Sequence, residues 1–248
     1  MSSIKLSVVI PAYNEAKNLD KGALKEVDDY LKKQDYLYEV LIIDDGSTDE
    51  TVKLVEEQIK NKKNFRLIKN PHGGKALTVI SGMLKASGEI ALFTDMDQAT
   101  PIDQIEKFFP KFEEGFDVVI GSRQGRKGAP LLRKFMGLGF SIIRFIILGL
   151  PFADTQCGFK AFNQPSIKAI FPQVQKIWEE NKVKGAAVNA GFDVETLFLT
   201  RKKEFKIAEV IVDWRHVGTE RVQAINDSLE ALRDVIRIRL NDLQKKYG

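Results

Sequence analysis

The sequence predicts an α/β protein built on a mixed, mainly parallel sheet with helices on both faces. Three observations predict it. Short β-branched runs alternate with helical stretches from Leu6 to Gly121. Those stretches have crossover length, so consecutive strands are expected to run parallel through right-handed connections. The strand ends carry turn-forming and acidic residues, and in such sheets ligands bind outside the carboxyl ends of the strands.

Leu6–Ile10 is a β-branched run that ends at Pro11. The stretch MSSIKLSVVIP therefore reads as a first strand rather than a signal peptide. Ala16–Leu31 is expected to be helical, with Leu19, Ala23, Val27 and Leu31 on one stripe. Tyr38–Ile43 is the second strand. Ser47-Thr-Asp-Glu50 has the pattern of a capping box, opening a helix to about Ile59. Phe65–Lys69 is the third strand, and Asn70-Pro-His-Gly-Gly74 is turn chemistry before a helix over Lys75–Ala86. Glu89–Thr94 is the fourth strand. Thr100-Pro101 suits an N-cap followed by a first-turn proline, opening a helix to about Phe109. Asp117–Gly121 is the fifth strand.

Composition bounds the function classes. With 248 residues, 44% hydrophobic and 29% charged, the chain can bury a substantial core and is not a disordered tail protein. A formal net charge of +4 is too mild to announce a nucleic-acid binder. One cysteine, Cys157, excludes an intramolecular disulfide framework, fits a reducing compartment and reads as structural. In the most apolar region the longest uncharged pieces, Phe135–Ile143 and Phe145–Ala153, fall well short of the roughly 18 residues of a membrane span.

After Gly121 the character changes. No Asp or Glu lies between Asp117 and Asp154, while Arg123, Arg126, Lys127, Arg133, Lys134 and Arg144 do. Leu131–Leu150 reads as a basic amphipathic helix that docks on anionic lipid, with a buried core helix as the alternative. Ala224–Lys246 is a second helix. It lines up Ile225, Leu229, Leu232, Ile236, Leu240 and Leu243, with Arg233, Arg237 and Arg239 nearby. It suits a surface anchor, a dimerisation helix or a lid on the sheet. The expected organisation is one domain over 1–221, which includes the basic interface segment 123–153, followed by the C-terminal helix over 222–248.

The first strand ends in Pro11-Ala-Tyr-Asn-Glu15, the second in Asp44-Asp45-Gly46-Ser47 and the fourth in Asp95-Met-Asp97. In a parallel sheet these ends meet. Crowded carboxylates repel one another unless a cation sits among them, and an oxygen-ligand site for Mg²⁺ or Mn²⁺, completed by substrate phosphates, is the natural reading. No Gly-x-Gly-x-x-Gly follows the first strand and no Walker-type glycine–lysine loop occurs, which disfavours dehydrogenases and P-loop proteins.

Val8-Val-Ile-Pro-Ala-Tyr-Asn-Glu15, Ile43-Asp-Asp-Gly-Ser-Thr-Asp49 and Phe93-Thr-Asp-Met-Asp97 together resemble the family 2 glycosyltransferases, whose fold is called GT-A. Asp154-Thr-Gln-Cys-Gly-Phe-Lys160, with Gly121-Ser-Arg123, Gly191-Phe-Asp-Val-Glu195 and Trp214-Arg-His216, looks like the polyprenyl-phosphate (dolichyl-phosphate) hexosyltransferase branch. The resemblance runs from about Leu6 to Arg221. It implies an inverting, metal-dependent transfer of hexose from a nucleotide-sugar donor to a polyprenyl-phosphate acceptor, at the cytoplasmic face of a membrane. Pro11, Tyr13 and Glu15 would line the nucleotide pocket, Asp45 would contact the base with Asp44 supporting the turn, and Lys75 lies in the matching nucleotide-side segment. Asp95 and Asp97 would flank ribose, diphosphate and the Mg²⁺ or Mn²⁺. Mannosyl-type members carry a Gln two positions after the second Asp; here that position is Ala99, and Gln98 comes one place early. This favours UDP-glucose over GDP-mannose and leaves the third metal ligand open.

An acceptor phosphate is already anionic and needs positive charge to hold it more than it needs a base. Arg123 and Arg133 are the candidates, because arginine grips phosphate in a bidentate way. Asp154 and Gln156 lie where the family places sugar and acceptor contacts. If a base is used, Asp154 or Asp193 is the candidate, with a helix N-cap the equal alternative for Asp193. His216 is either structural or placed beside the diphosphate. Either interfacial helices suffice for the membrane, or a separate membrane subunit recruits the chain. The alternatives are a soluble family 2 transferase acting on a hydroxyl, which would need its carboxylate base, and a non-catalytic membrane-surface adaptor.

Overall fold

A computed structural model describes residues 3–123, 131–180, 190–215 and 224–247, with side chains outside the description at 131–138, 190 and 224–229. Seven strands form one sheet in the order β3-β2-β1-β4-β6-β5-β7. The strands are β1 (Leu6–Ala12), β2 (Tyr38–Asp44), β3 (Phe65–Lys69), β4 (Ile90–Thr94), β5 (Val118–Ser122), β6 (Phe159–Asn163) and β7 (Ile207–Ile211). β1 pairs parallel with β2 and β4, β2 with β3, and β5 with β7; β6 is antiparallel to both β4 and β5. The expected mixed, mainly parallel sheet is therefore found, with β6 alone reversed.

That reversal positions the site. The chain leaves β5 at the carboxyl edge, and a reversed strand begins at that same edge. The segment just before β6, Asp154–Gly158, is thus delivered to the edge where the acidic loops of β1, β2 and β4 lie.

Alternation along the strands splits the core into two layers. Val9, Leu41 and Ile43 pack with α4 (Lys75–Lys85), α7 (Gln164–Glu180), α8 (Ala190–Lys202) and α9 (Ala224–Leu243). Val8, Ile10, Val40 and Ile42 pack on the other face with α1 (Ala16–Asp20), α2 (Ala23–Leu31), α3 (Thr51–Ile59) and a 3₁₀ helix over Ile102–Lys107. A short α5 (Phe109–Glu113) comes after the 3₁₀ turn.

Three local expectations are corrected. The helix expected over Ala16–Leu31 breaks into α1 and α2 at Gly22, whose φ of 89° is left-handed backbone that ends a helical run. No capping box forms ahead of α3, because Ser47 instead accepts the Asn14 amide at 3.0 Å and so ties the β1 loop to the β2 loop. Pro101 stands before the helix rather than inside it, and that helix is 3₁₀ rather than α; the Thr100 hydroxyl lies beside the buried Cys157 sulfur instead of capping.

The helix α6 (Leu131–Leu148) packs on the core with one face and exposes apolar side chains on another. Leu148 is buried and Phe140 and Ile147 pack on the core, while Ile142, Ile143, Phe145 and Ile146 face outward, Ile146 with 74% of its surface exposed. Arg144, expected among the outward basic residues, is 2% exposed and points inward. Among the described side chains of α9 the buried ones are Ala231, Val235, Ile238 and Asn241. Ile236, Leu240 and Leu243, part of the stripe visible in the sequence, lie on the outer surface, so the helix is no lid held by that stripe. α9 packs on α6 and α8. Among the described residues no helix is long and apolar enough to cross a membrane.

Candidate active site

The edge is assembled by register. Ala12 pairs with Asp44 and Asp44 with Lys69, which levels the ends of β1, β2 and β3. Asn14, at φ 55°, accepts the Thr48 amide at 2.8 Å, and the Glu15 amide donates to Thr51 Oγ1 at 2.7 Å. The β1 and β2 loops are thereby fixed to each other before any ligand is considered.

The second acidic pair has local duties. The Asp44 carboxylate accepts the amides of Gly46 and Ser47 at 3.1 and 3.3 Å, as the turn-supporting role requires. Asp45 accepts the amides of Gly73 and Gly74 at 2.8 and 2.9 Å and meets His72 Nδ1 at 2.9 Å. Its carboxylate thus anchors the turn that opens α4, with both oxygens engaged. His72 lies stacked on Tyr13, ring centroids 4.5 Å apart, so the aromatic ledge beside the β1 loop is a pair where the sequence offered one residue.

The charged centre therefore comprises Glu15, Asp95 and Asp97 with Lys75 among them; the acidic ends do not all converge. Lys75 Nζ lies 2.6 Å from Asp95 Oδ1. Burial pulls the Lys75 pKa down, but Asp95, Asp193 and Asp97 outweigh it and the net shift is upward. Glu15 is pushed up by burial, then by the charges of Asp97 and Asp95. Asp97 is likewise pushed up by burial and then by Asp95, against one stabilising amide from Ala99. Burial first, and neighbouring carboxylates after it, disfavour the charged forms of Glu15 and Asp97, and three carboxylates share this edge with one lysine.

The donor set fits a hard divalent cation. Its available atoms are carboxylate oxygens; Gln98, whose Nε2 donates to the Asp95 carbonyl at 2.9 Å, leaves a buried Oε1 without a hydrogen-bond partner among the described residues. No three His, Cys, Asp or Glu side chains converge on one metal position among those residues. Ions of the Mg²⁺ class are commonly held by one or two carboxylates plus substrate phosphates, which is what Asp95 and Asp97 could offer.

The opposite wall is the segment before β6. Asp154 grips Arg123 with two bonds, Nε to Oδ2 at 2.6 Å and Nη2 to Oδ1 at 2.8 Å, and accepts the Arg123 amide at 3.0 Å. Despite burial, these bonds bring the Asp154 pKa down to about 2. Asp154 therefore engages Nε and Nη2 of Arg123, and its lowered pKa weakens it as a proton acceptor. Asp193 sits inside the first turn of α8 rather than at an N-cap, 2.5 Å from Lys160 Nζ. Glu195, on the same helix, lies away from this edge, buried against Trp178 and Tyr247. Gln156 is exposed beside Asp154, its amide donating to Asp154 Oδ1 at 3.1 Å, and Pro11 lies half-buried in β1. His216 lies outside the described residues, as does the side chain of Arg133.

Sequence reasoning passed over His72, Gly158 and Lys160. A Cβ on Gly158 would stand 2.1 Å from Asp95 Oδ2, so the glycine is needed for that carboxylate to take its place. Lys160 is fully buried, donates to Asp193 and to the Cys157 carbonyl, and lies 5.3 Å over the Phe93 ring. The signal for both was the Asp154–Lys160 motif itself, in which a glycine and a lysine accompany the acid.

The family profile "Glycosyl transferase family 2" matches residues 7–171, which span strands β1 to β6 and all the acidic loops just described. The chain belongs to glycosyl transferase family 2. This glycosyltransferase is 33% identical to a dolichyl-phosphate beta-glucosyltransferase of Dictyostelium discoideum, over 98% of its own length and 76% of that protein's. It is 32% identical to that of Saccharomyces cerevisiae (96% and 75% covered) and 28% identical to that of Homo sapiens (96% and 76% covered). Among solved structures it resembles glucosyl-3-phosphoglycerate synthase from Mycobacterium tuberculosis, crystallised with Mn²⁺, UDP and glucosyl-3-phosphoglycerate. The TM-score is 0.62 at 20% identity, covering 96% of this glycosyltransferase and 79% of that chain. A Pyrobaculum calidifontis mannosyltransferase with GDP-Man and Mn²⁺ gives 0.60 at 18% identity, with 96% and 65% covered. These likenesses establish the GT-A fold.

Proposed function

We propose that this glycosyltransferase moves glucose from UDP-glucose to a dolichyl-type polyprenyl phosphate, with inversion at the anomeric carbon and with Mg²⁺ or Mn²⁺ bound. The observation that carries the reading is the way the two walls of the site are charged. One wall, Glu15, Asp95 and Asp97, carries more negative charge than Lys75 neutralises. On the other wall, Asp154 is ion-paired to Arg123 and Asp193 to Lys160. A hydroxyl acceptor would ask one of those two carboxylates for a base. A phosphate monoester, already ionised near neutrality, asks for none. The named function of the relatives from Dictyostelium, yeast and human supports this acceptor.

Asp95 and Asp97 would hold the divalent cation, which when bound supplies Lewis-acid stabilisation of the charge on the departing nucleoside diphosphate. Lys75 adds a fixed positive charge beside Asp95. Tyr13 on its His72 support lines the nucleotide side, and Pro11 and Glu15 close the pocket around it. With the β1 and β2 loops already bonded together, little ordering remains when the donor binds.

The greasy acceptor needs a route from a membrane, and the outer faces of α6 and α9 offer a docking surface on the cytoplasmic leaflet. Ile142, Phe145 and Ile146 on α6, and Ile236, Leu240 and Leu243 on α9, are exposed apolar side chains on two helices that pack together. Exposed Arg233, Arg239, Lys245 and Lys246 flank the α9 stripe, and such residues contribute about 1 kcal/mol each near an anionic surface. Contact through these helices replaces the need for a separate membrane subunit.

The deciding experiment offers purified protein UDP-glucose or GDP-mannose, with a short polyprenyl phosphate or its free alcohol, in Mg²⁺ or Mn²⁺. The expected product is a β-linked glucosyl lipid phosphate formed from UDP-glucose alone. Transfer from GDP-mannose would reassign the donor, and transfer only to the alcohol would replace this function with a hydroxyl-directed one.

A further inference from the structure

Arg144 is the one charged residue over Gly139–Leu148, a stretch of α6 in which four apolar side chains face solvent, and it points the other way. Its Nη1 donates to Thr155 Oγ1 at 3.0 Å. Its Nη2 donates to Ser141 Oγ at 3.1 Å and to the Phe152 carbonyl, and the guanidinium lies 5.7 Å from the Phe140 ring centroid. All of these acceptors are neutral, and Nε is buried without a partner among the described residues. Burial pulls the guanidinium below its usual pKa range, countered in part by Glu209 and Asp154.

Packing alone does not explain an arginine here. Burying a charge carries a desolvation penalty of several kcal/mol, and a well-fitted apolar side chain is often as stable or more so. What the planar fork supplies is a fixed span from the helix to two points of one loop. That loop is stapled on its other side by β7, where Glu209 accepts the amides of Ala153 and Asp154 at 2.9 and 2.8 Å. It then runs directly into the site. Asp154 holds Arg123, and Gly158 backs the Asp95 carboxylate so closely that no Cβ fits between them.

We propose that Arg144 is a positioning residue for glycosyl transfer: bonded to Phe152 and Thr155, it clamps the 152–158 loop against the acidic edge, so that Asp95 and the Asp154–Arg123 pair keep their relative placement. The proposal rests on the transfer reaction inferred above. Arg144 touches no reacting atom; it acts through the loop.

The test compares Arg144→Met and Arg144→Lys with the wild-type chain, using UDP-glucose and a short polyprenyl phosphate. Arg144→Met keeps the volume and removes the fork; Arg144→Lys keeps the charge and loses the two-point span. Both are expected to fold, with a thermal midpoint within about 5 °C of wild type and Arg144→Met at or above it. Both should lose about 10- to 100-fold in kcat through misplacement of the loop, with the KM for UDP-glucose changed less than about threefold. Amide exchange at Ala153, Asp154 and Gln156 should accelerate about tenfold or more while β4 is unchanged. Thr155→Val, which removes one acceptor and leaves Arg144 in place, should shift exchange and kcat the same way to a smaller degree, and it carries the test if the Arg144 variants do not fold. A folded Arg144→Met with kcat within about twofold of wild type, or unaltered exchange over 152–158, overturns the proposal and reduces Arg144 to a packing role. If the wild-type chain transfers nothing to lipid phosphate, the transfer reaction fails, and the exchange measurement still decides whether Arg144 holds the loop.

Discussion

Replacing Asp154 by asparagine tests the pair that forms the far wall of the site. The side chain keeps its shape and can still accept hydrogen bonds, so the change removes charge and little else. The Asp154 carboxyl has its pKa brought from an ordinary 3.8 to about 2 by Arg123, with Lys160 contributing. A shift of that size corresponds to about 2 to 3 kcal/mol. Because the folded pKa is the lower one, this stability is complete above the unfolded value and disappears as pH falls through the folded value. For a chain of this size the loss at pH 7 corresponds to a fall in thermal midpoint of about 5–10 °C. The assay is urea unfolding of wild type and Asp154→Asn at pH 7 and pH 3. The deficit is expected to shrink from about 2 to 3 kcal/mol at pH 7 to roughly half of that at pH 3, as the wild-type carboxylate nears its own titration. Equal stability of the two proteins at pH 7, or a deficit that does not change with pH, would show that the pair is not what fixes Asp154.

Three further outcomes are expected. Asp97→Asn should abolish cation-dependent turnover and, without added metal, raise the thermal midpoint, because it relieves a carboxylate that burial and Asp95 already disfavour in the folded state; turnover near the wild-type level would remove Asp97 from the site. Gly158→Ala should cut activity by about tenfold or more with the fold intact by circular dichroism, since the new Cβ must displace the Asp95 carboxylate; unchanged turnover would show that Asp95 can move at no cost. Phe145→Asp with Ile146→Asp should abolish sedimentation with anionic vesicles and leave the thermal midpoint unchanged, because both residues are exposed; sedimentation equal to wild type would place the membrane face elsewhere.

Some of the molecule is set by local chemistry that a single chain displays. The strands β1, β2 and β4, which carry the acidic loops, are apolar runs buried on both faces, and the turn and acidic residues that follow them, Asn14, Gly46 and Asp95, mark where they stop. The acids at those ends reach one edge because parallel strands present their carboxyl ends together, so Glu15, Asp95 and Asp97 could be named in advance. Gly22 shows the limit of periodicity: a stripe from Leu19 to Leu31 continues across a residue whose left-handed backbone divides the helix.

What only the tertiary structure decided depends on pairing between residues distant in sequence. Strand β6 enters between β4 and β5 in the opposite direction, and that choice brings Gly158 against Asp95, about 60 positions away along the chain, and Asp154 to Arg123. The partners of the charges are decided in the same way. Arg123, read as a phosphate hand, is bonded through Nε and Nη2 to Asp154. Asp45, read as a base contact, belongs to the turn at Gly73 and Gly74. Arg144, read as part of a lipid-facing surface, belongs to the interior. Periodicity marks an apolar stripe on a helix but not which stripe faces the core, because α6 and α9 carry apolar residues on both sides and burial is settled by the neighbours they meet.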